Sequence, residues 1–110
     1  MKHSCNLQRP FFEAVQSGAK TVEGRIAKHK FLSIQAGDVI EFQCGEEVVD
    51  VEVQRVEHFS TFEEMLQAHG VERVLPGCTV EEGIALYHSF PGYQSEEQSK
   101  GVLGFTIKRV

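Results

Sequence analysis

Two short runs, VIEFQC at 39–44 and VVDVEVQRV at 48–56, alternate apolar and polar residues around the turn Gly45-Glu46-Glu47. Alternation at period two places successive side chains on opposite faces of a strand, so this pattern predicts an antiparallel hairpin. Ile40, Phe42, Val49, Val51 and Val53 then share the face turned to a core. Arg55 continues that face, so its guanidinium is expected to point inward, where it needs a carboxylate. The closing run KGVLGFTIKRV adds a strand with Leu103, Phe105 and Ile107 on one side, and TVEGRI at 21–26 reads as another.

Helix signals are interleaved with these strands. Pro10 ahead of FFEAVQ and Gly18 behind it delimit a short helix. The 27–38 segment AKHKFLSIQAGD reads as an irregular arm ending in a Gly-Asp turn. Ser60 with Glu63, and Thr79 with Glu82, have capping-box spacing; Phe62, Met65, Leu66 and His69 fall on one helical face, and Pro91-Gly92 stops the second helix. The expectation is an α+β fold with a small, mixed, curved sheet or barrel of about five or six strands and three or four short helices. With 110 residues, no repeat and no linker, residues 1–110 read as one domain.

Charge and cysteine usage restrict the function. The net charge of -5 argues against indiscriminate coating of nucleic acid, which rests on clustered Lys and Arg. Yet Lys20, Arg25, Lys28 and Lys30 lie together with Glu23 as their only acid, whereas the stretch from Asp38 to Glu64 holds nine acids and one base, Arg55. A locally basic site on an acidic body suits a small anionic ligand or a short strand. Cys5, Cys44 and Cys78 lack CxxC spacing, and His3, His29, His58, His69 and His88 are scattered. Neither a disulfide framework nor a structural metal is expected, and no cofactor is implied. No apolar run approaches the ~20 residues of a membrane helix, which with reduced thiols points to the cytosol.

The charges inside TVEGRI need a reason. Thr21, Glu23 and Arg25 share a strand face, so Glu23 and Arg25 pair along it, and Lys20 sits at the strand's mouth behind Gly18 and Ala19. A solvated face with an incidental ion pair is the simplest reading of any such strand. Gly24 argues otherwise, because an interior glycine weakens a strand and marks close approach of a ligand or another backbone. Glu23 is the expected partner for an inward Arg55, which would make Glu23 the residue that holds the fold and Lys20 the one that faces the ligand. Tyr87, Phe90 and Tyr93 offer a stacking face for a base, with Phe90 expected to bury at a helix end.

Gly18, Lys20, Glu23 and Arg25 spell G-x-K-x-x-E-x-R, which resembles the motif of ASCH domains, a family with a β-barrel related to the PUA RNA-binding fold. AGDVIEF, FSTFEEMLQAHGVERVLPG, EEGIALYHSF and KGVLGFTIKRV extend the resemblance across nearly the whole chain, toward small stand-alone prokaryotic members. The resemblance implies a cleft lined by the motif and suited to RNA or a modified nucleoside. In the N4-acetylcytidine amidohydrolases, to which the chain is distantly similar, the family's residues are the motif lysine, a threonine and a downstream glutamate. Lys20 matches, Glu23 stands in the threonine's place, and the glutamate is open among Glu72, Glu81 and Glu82. A carboxylate cannot replace a hydroxyl nucleophile, but it can orient Lys20 or act as a base toward water.

These readings together assign Lys20 and Glu23 as catalytic candidates and Gly18, Thr21, Arg25, Arg55, Tyr87 and Tyr93 as ligand contacts. The activity implied is metal-independent hydrolysis of N4-acylated cytidine or of single-stranded RNA. The alternatives are a non-catalytic RNA-binding module and a protein-interaction adaptor that uses the acidic surface. The oligomeric state stays open.

Overall fold

The structure, a computed structural model, describes residues 1–110. Eleven elements follow along the chain: β1 (Lys2–Asn6), α1 (Phe11–Ser17), β2 (Val22–Ile26), α2 (His29–Leu32), β3 (Val39–Cys44), β4 (Glu47–Phe59), α3 (Phe62–His69), α4 (Val71–Val74), α5 (Val80–His88), α6 (Tyr93–Lys100) and β5 (Val102–Arg109). The strands form one mixed sheet in the order β1-β3-β4-β5-β2, in which only β1 and β3 run parallel. This is the α+β class expected, with five strands and six helices where the sequence suggested three or four helices.

The alternating hairpin is present, with Ile40 opposite Val51 and Phe42 opposite Val49. The inward residues of β3 and β4, with Val102, Leu103, Phe105 and Ile107 of β5, enter a 25-residue apolar core. β4 is long enough to pair with β3 through its first half and with β5 through its second. Between these halves Val53 faces Ile107 while Arg55 faces Thr106, so Gln54 is an extra residue. Such a bulge sharpens twist and bends a strand, which here curls the sheet into a half-barrel.

The bulge also resets the side-chain alternation, and it overturns the expectation for Arg55. Its side chain is 69% exposed and pairs with Glu57 at 3.1 Å instead of entering the core. A period-two count is valid only while the ladder is unbroken.

Local capping follows the sequence closely. Gly18 adopts φ 86° after α1, the left-handed conformation that a Cβ disfavours. Thr79 and Glu82 form the full capping box on α5. At α3 the box is shifted by one residue: Thr61 caps Glu64 N–H at 3.1 Å, and Glu64 reaches back to Ser60 N–H. Two elements carry no apolar periodicity. β1 is held by parallel pairing with β3, and α6, YQSEEQSK, is polar on nearly every side. The arm at 27–38 contains the single-turn helix α2, which buries Phe31.

Candidate nucleotide-binding site

β1 and β2 form the two edges of the curled sheet and do not pair with each other, which leaves an open seam. The charged residues of TVEGRI close it. Arg25 Nη2 donates to the Asn6 carbonyl at the end of β1, at 2.7 Å. Lys20 Nζ donates to the Val22 carbonyl at 2.8 Å, to the Val74 carbonyl on α4, and to Glu23 Oε1 at 3.0 Å. Side chains thus satisfy carbonyls at a place where no strand pairs.

Glu23 is the hub of this arrangement. Its Oε1 faces Lys20, and its Oε2 accepts from Arg25 Nε at 2.8 Å and lies 2.6 Å from Arg25 Nη2. Both Lys20 and Glu23 are buried, at 2% and 4% exposure. Burial by itself would raise the Glu23 carboxyl, but Lys20 and Arg25 outweigh it and hold the group below its ordinary 4.5. Burial pushes the Lys20 ammonium down, against the pull of Glu23. Burial also opposes the charge on Arg25, yet Glu23 keeps it firmly protonated.

An ammonium has three N–H donors, and Lys20 has three acceptors in place. Lys20 therefore sits as a saturated, buried cation in the pocket wall and not as an exposed group at the strand's mouth. The sequence expectation that Glu23 alone holds the fold is corrected by this geometry: the two residues share that role.

A pocket of about 340 Å³ opens along the seam, within the size range of small-molecule sites. Lys20, Glu23, Gly24 and Arg25 form one wall and residues 6–8 another. The third wall is aromatic, from Tyr87, Phe90 and Tyr93. Phe62 behind it stacks on Tyr87, with centroids 3.9 Å apart, and on Tyr93 at 5.9 Å, which fixes both rings. Gly24 is where the sequence reading places a close approach: a Cβ there would lie 2.9 Å from Tyr87 Oη and 2.6 Å from Met65 Cε.

Tyr87 Oη is buried and makes no hydrogen bond. Burial, and then Glu23, push its phenol well above the ordinary value, so it remains a hydroxyl able to donate. A buried polar group without a partner costs about 1–3 kcal/mol, and such orphans cluster where a ligand or water completes the structure.

The sequence model of the ASCH domain matches residues 6–109. The chain belongs to the ASCH domain family. Its fold is PUA-like, a class often linked to RNA binding. This ASCH domain is similar to the crystal structure of hypothetical protein PH0355, with 35% identity, full coverage of both chains and a TM-score of 0.92. It is also similar to the solution structure of protein PF0455 from Pyrococcus furiosus, at 35% identity and TM-score 0.82, covering 100% of this chain and 98% of that one. The S128A mutant of ZmASCH from Zymomonas mobilis shares the fold at TM-score 0.62 and 14% identity, over 96% of this chain and 66% of that one. No match was found among curated proteins.

In this ASCH domain the motif residues Lys20, Glu23 and Arg25 line one pocket together with Tyr87 and Tyr93. Gly18 and Thr21 do not join them; they line a separate polar groove with Lys108 and Arg109, and Gly18 serves as the cap of α1. Arg55 is absent from the lining, as the bulge requires. Glu72, Glu81 and Glu82 are exposed, and none lines the pocket.

Sequence reasoning missed Glu97, a buried carboxylate on the polar helix α6. It accepts from Phe62 N–H at the start of α3 at 2.7 Å and lies 2.8 Å from His88 Nε2. It ties together the three helices that carry the aromatic wall. Nothing in the run YQSEEQSK distinguishes Glu97 from Glu96 beforehand. Of the other histidines, His3 pairs with Asp38 and His69 with Glu57, His58 lies near the Lys100 carbonyl, and no group of three His, Cys, Asp or Glu converges. No helix is long and apolar enough to cross a membrane.

Proposed function

We propose that the seam pocket binds a nucleobase presented by RNA or by a modified nucleoside. The observation that carries this reading is the unpartnered Tyr87 hydroxyl in a pocket that also holds the ionised Glu23 and the aromatic Tyr93. A base has flat faces that stack on tyrosine and edges that both donate and accept hydrogen bonds. Tyr87 supplies a donor, Glu23 an acceptor, and the rings a stacking surface. The saturated bonding of Lys20 favours a binding role, since its ammonium fixes Glu23 in place.

The reading is tested by NMR titration of the labelled protein with cytidine, N4-acetylcytidine, guanosine and a short single-stranded RNA. Saturable shifts at Asn6, Gly24 and Tyr93 are expected with at least one of them, and weakened in Tyr87→Phe. Shifts absent with all four, or confined to the acidic β3–β4 hairpin, would remove the reading and favour a protein-interaction adaptor.

A second reading, hydrolysis of an N4-acylated cytidine or of single-stranded RNA without a metal, draws on one observation. Burial lowers the pKa of Lys20 beside an ionised carboxylate. To act as a base, Lys20 must lose its proton and give up one of its three contacts. Turnover in EDTA that vanishes in both Lys20→Ala and Lys20→Arg would support this reading, because arginine keeps the charge but gives up no proton. Binding without turnover would leave the domain a binding module.

A further inference from the structure

Beside the pocket lies positive charge that the seam does not consume: Arg25 is in the lining, and Lys28 and Lys30 lie against neighbouring aromatic rings. Arg25 uses Nε and Nη2 on Glu23 and Asn6, while Nη1 makes no hydrogen bond. Its Cζ lies 5.5 Å from the ring of Phe31 on α2, and Lys30 Nζ lies 5.6 Å from the same ring. Lys30 is exposed and has no acidic partner. Lys28 Nζ lies 5.7 Å from the ring of Tyr93, on the aromatic wall. Its one acidic neighbour, Glu96 at 3.5 Å, is shared with Lys100 at 3.2 Å.

Of these groups Arg25 and Tyr93 line the pocket; Lys28 is joined to it through the Tyr93 ring, and Lys30 shares the Phe31 ring, outside the lining, with Arg25. The rest of the chain repels anions: outside Lys20, Glu23, Arg25, Lys28 and Lys30 it holds fifteen acids against seven bases. A basic patch on an acidic body focuses anions onto one place. The free Nη1 of Arg25 beside two lysines suits phosphate oxygens, which accept several charge-assisted hydrogen bonds together. A base resting against Tyr93 would leave its sugar and phosphate outside, at this patch.

We infer that Arg25, Lys28 and Lys30 hold the phosphate of the nucleotide whose base enters the pocket, so the ligand is a phosphorylated nucleotide, in a strand or free, and not a neutral nucleoside. The inference rests on the base-binding reading and selects among its ligands. Lys28 and Lys30 set affinity by charge, and Tyr87 and Glu23 read the base.

The test measures binding of cytidine, guanosine, their 5′-monophosphates and a single-stranded RNA of about eight nucleotides, in the range one small domain covers. Wild type, Lys28→Ala and Lys30→Ala are compared over a series of salt concentrations. Both substituted side chains lie at the surface, so the variants are expected to keep the wild-type melting temperature. Phosphorylated probes should bind about tenfold or more tightly than the matching nucleosides, and each variant should lower the salt slope for RNA by about 0.7. A monophosphate that binds as tightly as RNA assigns the phosphate to a free nucleotide; RNA binding tighter than the monophosphate assigns it to a strand. Nucleosides that bind as well as their monophosphates, with both lysine variants unchanged, overturn the phosphate inference and leave the pocket reading standing. Failure of every probe to bind removes both.

Discussion

Lys20 Nζ stands 3.0 Å from Glu23 Oε1, with the two side chains 0% and 5% exposed. At this burial, removing one partner strands the other's charge, so Glu23→Ala should cost about 3–5 kcal/mol. Lys20→Met should also destabilise, by about 1–3 kcal/mol for each carbonyl left without a donor, since Val22 and Val74 both depend on it. Combining Lys20→Met with Glu23→Ala should cost less than the sum of the single changes, because the pair is shared. Urea unfolding measures all three, and a Lys20→Met protein as stable as wild type would contradict the buried geometry.

The acid limb of the stability curve should carry the signature of Glu23. Its folded pKa lies below the ordinary 4.5, so the folded state binds its proton less readily than the unfolded chain. That contribution is fully present above the unfolded value and is lost as pH falls through the folded one. Lys20 acts in the opposite region: its folded pKa is lowered, so stability should recover as pH rises through that value toward 10.5. Melting temperatures measured from about pH 2 to 6 should fall less steeply for Glu23→Gln than for wild type. Equal slopes would mean that Glu23 is not held ionised by its neighbours.

Tyr87→Phe should separate stability from function. The hydroxyl is buried without a partner, so its removal relieves a penalty of about 1–3 kcal/mol in the free protein and should raise the melting temperature. The same change should weaken nucleotide binding, because the donor is lost. Destabilisation by Tyr87→Phe would show that the hydroxyl already has a partner in the free protein.

Gly24→Ala should strain the pocket floor. The new methyl would meet Met65 Sδ at 2.8 Å and Tyr87 Oη at 2.9 Å. The end of the methionine can swing away, but Tyr87 is stacked against Phe62 and cannot. Overpacking of this kind costs about 1–3 kcal/mol, and the displaced Tyr87 should also reduce ligand affinity. Retention of full stability and affinity would show the floor to be softer than its packing implies.

Several elements were legible because their signals are local. The hairpin follows from period-two alternation within a few residues of the turn, and the caps at Gly18 and Thr79 from short side-chain or dihedral rules. The Glu23–Arg25 pair follows from their shared strand face. β1 and α6 were not legible, since KHSCN and YQSEEQSK have no apolar period and are held by neighbours distant in the chain. Glu97 depends on this most: a carboxylate 35 residues from the Phe62 amide can be identified only once both ends are placed.

The sequence by itself determined the strand faces where the ladder is unbroken, the caps at Gly18 and Thr79, the basic cluster around Lys20 and the presence of glycine where two segments meet, because each depends on dihedral preference or spacing within one element. Tertiary structure decided what those residues do. One extra residue in β4 turned Arg55 to solvent, a change that no alternation count contains. Burial made Lys20 a saturated cation, because its third acceptor, the Val74 carbonyl, arrives from 54 residues away. The seam itself arises because the curled sheet brings β1 and β2 near without pairing them, and Lys20 and Glu23 are buried there only once helices from the other half of the chain pack against it. Charge and pattern are properties of the chain, whereas desolvation and the set of available partners are properties of the fold.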